Sequence, residues 1–407
     1  MTPERLAPPM TIVGPLAWLH QNLFSSRWNS LLTVVLGGVL ALFTILVVEW
    51  AVTDARWGVV TANLRLFLIG QYPIDQAWRI WLSLSILSVL TGLSAAIFGG
   101  GAIRTLANWL AASQALLAGL AAISGMEPLL LAGPIEVSAV SGALLVNTAV
   151  VWAAFVVALR RPVPRRALAI AWLASVPLSI VLLQGVGPAL PVVGPYLWGG
   201  LLLTFLLAIV GIVLSFPFGV LLALGRRSDL PAVRILSTAY IEVIRGVPLV
   251  TILFTASIML PLFLPGEVRI DRVVRAMGGI TLFSAAYVAE NVRGGLQAIP
   301  SGQIEAAHAI GLNSLQTNVF IVLPQALRAV IPANVGLFIS LLKDTTLVTI
   351  IGLLELLGIG RAVLAQSQWF GTQLEVYLFI AAVFFILCYT MSQASYRLEA
   401  ALGVGKR

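Results

Sequence analysis

Four ionisable residues draw attention by position. Arg245, Glu290, Lys343 and Asp344 fall inside stretches that are otherwise almost continuously apolar. A charge at membrane depth is costly, and it persists where it pairs, lines a path or relays a proton. Arg245 follows Glu242 by three residues, which puts both on one helix face and predicts a local ion pair. Gly246 and Pro248 come next, a combination that loosens and kinks a helix and suits a gate. Glu290 precedes Arg293 at the same spacing. Its carboxylate either pairs with that guanidinium or meets a substrate amino group. Lys343, Asp344, Thr345 and Thr346 interrupt an apolar run. Neighbouring residues project about 100° apart on a helix, so Lys343 and Asp344 are expected to bond to other helices or to line a path, rather than to pair together. Arg245, Gly246, Pro248, Glu290, Lys343, Asp344 and Thr345 are the substrate-path candidates.

No catalytic set accompanies them. His20 and His308 are the only histidines, both outside the apolar runs, and Cys388 is the only cysteine. Neither a Ser–His or Cys–His nucleophile nor a metal cluster can be assembled from these, so catalytic and metal sites are expected to be absent. Lys343 and Lys406 are the only lysines, and neither stands in G-x-x-x-x-G-K-[ST]. The chain therefore carries no phosphate-binding loop of that type, and any ATP hydrolysis is expected on a partner.

The elements that must position these groups are membrane helices. The 407 residues are 59% hydrophobic and 10% charged, with mean hydropathy +1.01. A soluble domain carries about 25% charged residues. Runs of about 20 residues, such as 31–48 and 138–159, contain no charge and are long enough to cross roughly 30 Å of hydrocarbon. They do not alternate in polarity as barrel strands do. The expectation is an all-α polytopic membrane protein with about ten spans: 31–50, 79–99, 104–124, 138–159, 167–186, 198–223, 237–262, 276–296, 328–350 and 374–395. With both termini inside, the inner loops hold roughly twice as many arginines and lysines as the outer ones, in keeping with the positive-inside rule. The loop RRPVPRR at 160–166 weighs most. That rule also accounts for the net charge of +8 without nucleic acid. Residues 1–30 lack the pattern of a cleaved signal peptide, so the first span is expected to direct insertion. Trp50, Trp57, Trp78, Trp198 and Tyr196 are expected at the membrane interfaces. The Gly- and Pro-rich connection at 185–196 separates two five-span halves.

One polar stretch breaks this pattern: EAAHAIGLNSLQTNVFIVLP at 305–324. Ser301 is placed to cap a first short helix. Gly311 suits the left-handed residue that closes it. Asn313 with Gln316 forms a capping-box pair for a second helix. Leu312, Leu315, Val319 and Val322 form an apolar stripe, and Pro324 marks a kink or restart. An amphipathic helix lying on lipid would carry basic residues, and 300–324 contain no Lys or Arg. The reading is a two-helix elbow outside the bilayer.

Glu305-Ala306-Ala307, Gly311, then Ile321, Leu323 and Pro324 resemble the EAA loop of binding-protein-dependent ABC importers. The stretches at 198–211, 240–250, 287–303 and 341–358 are similar to permeases of polar amino acid uptake. The longer N-terminal half, with NLFSSRWNSLLT at 22–33, resembles the long permease subunits of general L-amino acid importers. The resemblance implies a type I importer core of five helices at 195–396, preceded by a tail at 1–30 and about five additional helices at 31–190, and followed by a tail at 397–407. It implies that Glu305, Ala306, Ala307, Gly311, Leu323 and Pro324, within 300–324, couple the chain to ATPase subunits that hold ATP and Mg. The other partners it implies are a solute-binding protein, a second and different permease, an amino acid substrate and the lipids of a bacterial inner membrane. An ion-coupled secondary amino acid carrier is the alternative; it would use Glu290 and Asp344 to carry the ion.

Overall fold

The computed structural model describes residues 15–98, 108 and 137–402, apart from 162, 189 and 267. The expected span at 104–124 and both extreme termini lie outside the described residues. The chain divides into two units, Met1–Trp57 and Gly58–Arg407.

The first unit holds α1 (Pro15–Asn22) and α2 (Arg27–Thr53). The Ser26 hydroxyl caps α2 by accepting from Asn29 N at 3.1 Å. None of the residues of α2 is buried, although its composition is strongly apolar. Its length and composition are those of a membrane span.

The second unit begins with two short helices, α3 (Gly58–Ala62) and α4 (Leu64–Ile69). The long helices α5 (Trp78–Phe98), α6 (Val137–Arg160) and α7 (Arg165–Gln184) follow. A Cβ on Gly92 of α5 would stand 2.2 Å from the Val151 carbonyl oxygen of α6, so this pair packs backbone to backbone. Ser85 Oγ also donates to Asn147 Oδ1 at 2.9 Å, and Trp172 Nε1 of α7 to Ser94 Oγ at 2.9 Å. Small residues and cross-helix hydrogen bonds are what hold helices together where lipid offers no hydrophobic drive.

The C-terminal helices are α8 (Gly200–Arg226), α9 (Pro231–Gly246), α10 (Leu249–Phe254), α11 (Arg272–Gln297), α12 (Ser301–Ala309), α13 (Leu323–Asp344), α14 (Leu356–Leu364) and α15 (Gln373–Leu402). Helices α8 and α11 interlock through glycine. A Cβ on Gly219 would lie 2.5 Å from Val288, and one on Gly211 2.9 Å from Ile280. Gly295 brings α11 equally close to Ala326 and Val330 of α13. Among the described residues there is no strand, only two isolated bridges, Gly70 with Trp198 and Gly200 with Glu355. Gly200 adopts φ +59°, and a Cβ there would meet the Phe67 carbonyl oxygen at 2.4 Å. Residues 66–70 thus sit directly on the start of α8.

Six described helices are long and apolar enough to cross a membrane, or seven if one bent pair counts as a span. The expected span at 237–262 is corrected: α9 and the segment Leu249–Phe263 meet at 106°. Pro248 has no N–H to continue α9, and Val247 before it is extended at φ −111°, ψ 135°. Helix α11 falls outside the apolar set, yet it buries Ala276, Ile280, Ala285, Ala286, Val288 and Val292. Its Gly, Ala, Ser and Asn content suits contact with helices rather than with lipid. Trp198 is also corrected, from the interface to the core: it is 4% exposed.

Candidate functional site

The elbow folds as its local chemistry requires. Helix α12 ends at Gly311, whose φ is +85°. There Gly311 N donates to the His308 carbonyl at 2.9 Å and Leu312 N to that of Ala307 at 3.1 Å. Only glycine takes this left-handed turn without a steric cost of about 1 kcal/mol or more. The capping box at the next turn is complete: Gln316 N donates to Asn313 Oδ1 at 2.9 Å and Asn313 N to Gln316 Oε1 at 3.0 Å. The cap of α12 is corrected. Pro300 occupies that position, and Ser301 begins the helix without a capping hydrogen bond. Residues Thr317–Val322 form a π-helical turn before α13, with Pro324 in the first turn of that helix. Pro324 therefore restarts α-type bonding, as expected.

Glu305, Ala306, Gly311 and Pro324 are exposed, Leu323 is half-buried, and Ala307 is buried against the body of the protein. The apolar stripe is not one face, because the wide π turn rotates its members apart: Val322 is buried and Val319 exposed. Sequence reasoning missed Ile310 and Phe320, which are 74% and 66% exposed. With Val319, 43% exposed, they leave three large apolar side chains uncovered on the elbow.

The path candidates separate into two places. At one end of the bundle, Glu290 is ringed by three guanidiniums. Arg245 Nη1 lies 3.3 Å and Arg226 Nη1 3.5 Å from Glu290 Oε2. Arg293 Nε donates to Glu290 Oε1 at 2.9 Å and its Nη2 contacts the same oxygen. Glu242 pairs with Arg226 at 2.9 Å. The expected Glu242–Arg245 pair is thus replaced by bonds between helices, while the expected Glu290–Arg293 pair forms. Arg226 closes α8, so its charge also meets the negative end of that helix dipole. Arg245 lies over the Tyr287 ring at 5.7 Å. The five side chains join α8, α9 and α11 and carry one net positive charge. Gly246 and Pro248 sit at the break directly after Arg245, and Gly246 has no neighbour within 4 Å of a Cβ position.

Farther along the bundle, Lys343 is exposed and Asp344 half-buried at the end of α13. Thr345 does not join them: it is fully buried and its hydroxyl donates to the Leu342 carbonyl at 2.7 Å. Outside the spans, sequence reasoning also missed Glu355, which is fully buried. Its carboxylate accepts from Thr349 Oγ1 at 2.6 Å, Gly358 N at 2.8 Å and Leu357 N at 2.9 Å. Burial pushes this carboxyl above its ordinary range, against the pull of those hydrogen bonds. Its position as cap to α14 was the available signal, three residues before Gly358.

The family model described as binding-protein-dependent transport system inner membrane component matches residues 215–400. The glutamate/glutamine/aspartate/asparagine transport system permease protein BztC of Rhodobacter capsulatus is 38% identical, over 98% of this chain and 97% of its own length. The inner membrane amino-acid ABC transporter permease protein YhdY of Escherichia coli K12 is 37% identical over 96% of this chain and 94% of its own. A crystal structure of an amino acid ABC transporter with histidines is 30% identical over 50% of this chain and 92% of the other, with a TM-score of 0.45. Identity at this level along nearly the full length of two relatives shows that the chain belongs to the amino-acid ABC transporter permeases of the inner membrane.

Proposed function

We propose that this chain forms one side of an amino acid import path and is driven through the elbow at 300–324. ATPase subunits holding ATP and Mg grip Glu305, Ala306, Gly311 and the exposed Ile310 and Phe320, while Ala307, Leu323 and Pro324 tie that grip to α13. A solute-binding protein delivers the amino acid from the opposite face. The second permease is a different chain, and residues 31–190 are helices added to the import core at 195–396. Both termini face the cytoplasm. The relative BztC is named for glutamate, glutamine, aspartate and asparagine, so acidic amino acids and their amides are the first compounds to test.

One observation carries this reading. The elbow is held by Gly311 and by a reciprocal capping box, yet it leaves three large apolar side chains, Ile310, Val319 and Phe320, uncovered. A lever with an uncovered face fits a motor subunit better than it fits free water. The ion-coupled carrier has less support, because Glu290 is already paired with three arginines. Replacing Gly311 by Pro tests the proposal, since Pro cannot adopt φ +85°. Import and co-purification of the ATPase should both be lost. Retention of both sinks the proposal.

A further inference from the structure

Helix α9 lies across the bundle rather than along it. It meets the segment Leu249–Phe263 at 106°. It also touches two helices in turn, with Ser237 against Gly225 of α8 and then Arg245 on Glu290 of α11. Helix α8 carries no charged residue from Gly200 to Gly225 and ends on Arg226 and Arg227. A span leaves the hydrocarbon where its flanking arginines stand, so α9 sits at that boundary. Between the two helices runs an open groove of about 570 Å³, lined by Leu222 of α8 and by Leu236, Ala239, Tyr240 and Val243 of α9. Its wall is apolar because the polar groups along it are turned away. The Tyr240 hydroxyl donates to the Leu282 carbonyl at 2.7 Å, and the Ser237 hydroxyl is packed against Gly225. A zwitterion finds no partner on such a wall, whereas a hydrocarbon chain loses nothing by lying there.

The surroundings of the groove are cationic. Arg226, one turn beyond Leu222, is shared by Glu242 and Glu290. Arg227, in the turn that follows α8, is exposed, and among the described residues its guanidinium reaches only the Leu296 carbonyl, at 3.5 Å. Arg234, early in α9, is exposed and makes no ion pair among the described residues. With Arg245 and Arg293 these make five guanidiniums, set against the three carboxylates of Asp229, Glu242 and Glu290. An apolar groove beside surplus arginine fits a molecule with one hydrocarbon part and one anionic part, which at a membrane boundary is a phospholipid. We propose that the groove between α8 and α9 binds one anionic phospholipid, with an acyl chain against Leu222, Leu236, Tyr240 and Val243 and the phosphate at Arg227 and Arg234. All phospholipids carry the phosphate; the surplus arginines select a headgroup with no ammonium to cancel it. A partner helix is a poorer occupant, because Leu236 and Val243 stand exposed where close helix contact needs small residues. The site goes beyond the import reading and does not depend on the grip of an ATPase on the elbow.

The test uses the full-length chain in its assembled complex, in phosphatidylcholine vesicles holding a trace of phosphatidylglycerol with a photoreactive diazirine in its acyl chain. Illumination should attach this probe to peptides covering 222–244, and unlabelled phosphatidylglycerol should compete with it. The same diazirine carried on phosphatidylcholine should label those peptides at least fivefold less. Arg227→Gln/Arg234→Gln should lower labelling by the phosphatidylglycerol probe at least fivefold, since each arginine near an anionic headgroup contributes about fivefold in binding. Labelling of the other spans should stay unchanged in that variant. Ala239→Trp, which fills the groove and keeps every arginine, should lower labelling at 222–244 as well. Inorganic phosphate should not compete, because it has no chain for the groove. Equal labelling by the two lipids overturns the proposal and leaves an ordinary lipid-facing surface; this comparison is made on the unaltered complex and decides the matter even where a variant fails to fold. Labelling that a folded double variant keeps within twofold overturns it too. Displacement by inorganic phosphate also overturns it, because the arginines then form a free-anion site.

Discussion

Replacing Glu290 by Gln should loosen the bundle at the break between α9 and α10. The carboxylate balances Arg226, Arg245 and Arg293 at once, with contacts of 3.5 and 3.3 Å to the first two. At such distances a pair of unit charges gains about 5 kcal/mol gross at an effective dielectric near 20. Much of that is offset by desolvation. The side chains retain between 22 and 33% exposure, which places the cluster between two regimes. Exposed pairs contribute about 0.2–1 kcal/mol. Removing one member of a buried pair costs about 3–5 kcal/mol. Glu290→Gln should therefore cost about 2 kcal/mol. Reversible unfolding in mixed micelles reads this directly. The double variant Glu290→Gln/Arg245→Gln should recover part of the loss, because one surplus cation is gone, so the two changes should be non-additive by more than about 0.5 kcal/mol. Glu290→Gln as stable as the unaltered chain, or strict additivity, refutes the reasoning.

Other outcomes follow from the same geometry. Gly219→Leu should prevent α8 from packing on α11, because a Cβ already meets Val288 at 2.5 Å; overpacking of this kind costs about 1–3 kcal/mol or more, read as a lowered unfolding midpoint. Asn313→Ala removes one side of the capping box and should cost about 1 kcal/mol, with a matching loss of amide-exchange protection at Gln316. Burial holds the Glu355 carboxyl above the usual range. Its contribution is therefore complete below the ordinary glutamate value and declines as pH rises through the folded value. Stability should fall with rising pH in that window, and Glu355→Gln should flatten the slope.

Much of the elbow was legible in the sequence, because its determinants are local. A glycine at a helix end and an Asn–Gln pair three residues apart each specify one backbone geometry, and both are found in place. The Pro300 cap differed because the proline already fixes the entry to α12, leaving Ser301 one position inside. The charge cluster was only half legible. Glu290 with Arg293 is a one-helix spacing, whereas Arg226 and Glu290 are 64 residues apart. No local pattern announces that meeting. The Arg226–Glu242 pair joins the end of α8 to α9, and no one-helix spacing announces it either. Helix α11 was read as a span at 276–296, although its composition is poorer in large apolar residues than a lipid-facing helix. Burial of Glu355 and Trp198 arises from residues 66–70 folding onto the start of α8, which is a tertiary event.

The elbow's grip on a motor is open to direct measurement. With Cys388 replaced by Ala, Ile310→Cys places a single thiol at the exposed side of the elbow, where Ile310 is 74% exposed. A short thiol–amine cross-linker applied to the active complex should join this position to an ATPase subunit, with a yield that changes when ATP is added. A fully active complex in which that thiol reacts only with membrane-dissolved reagents, and never joins an ATPase subunit, would contradict the account.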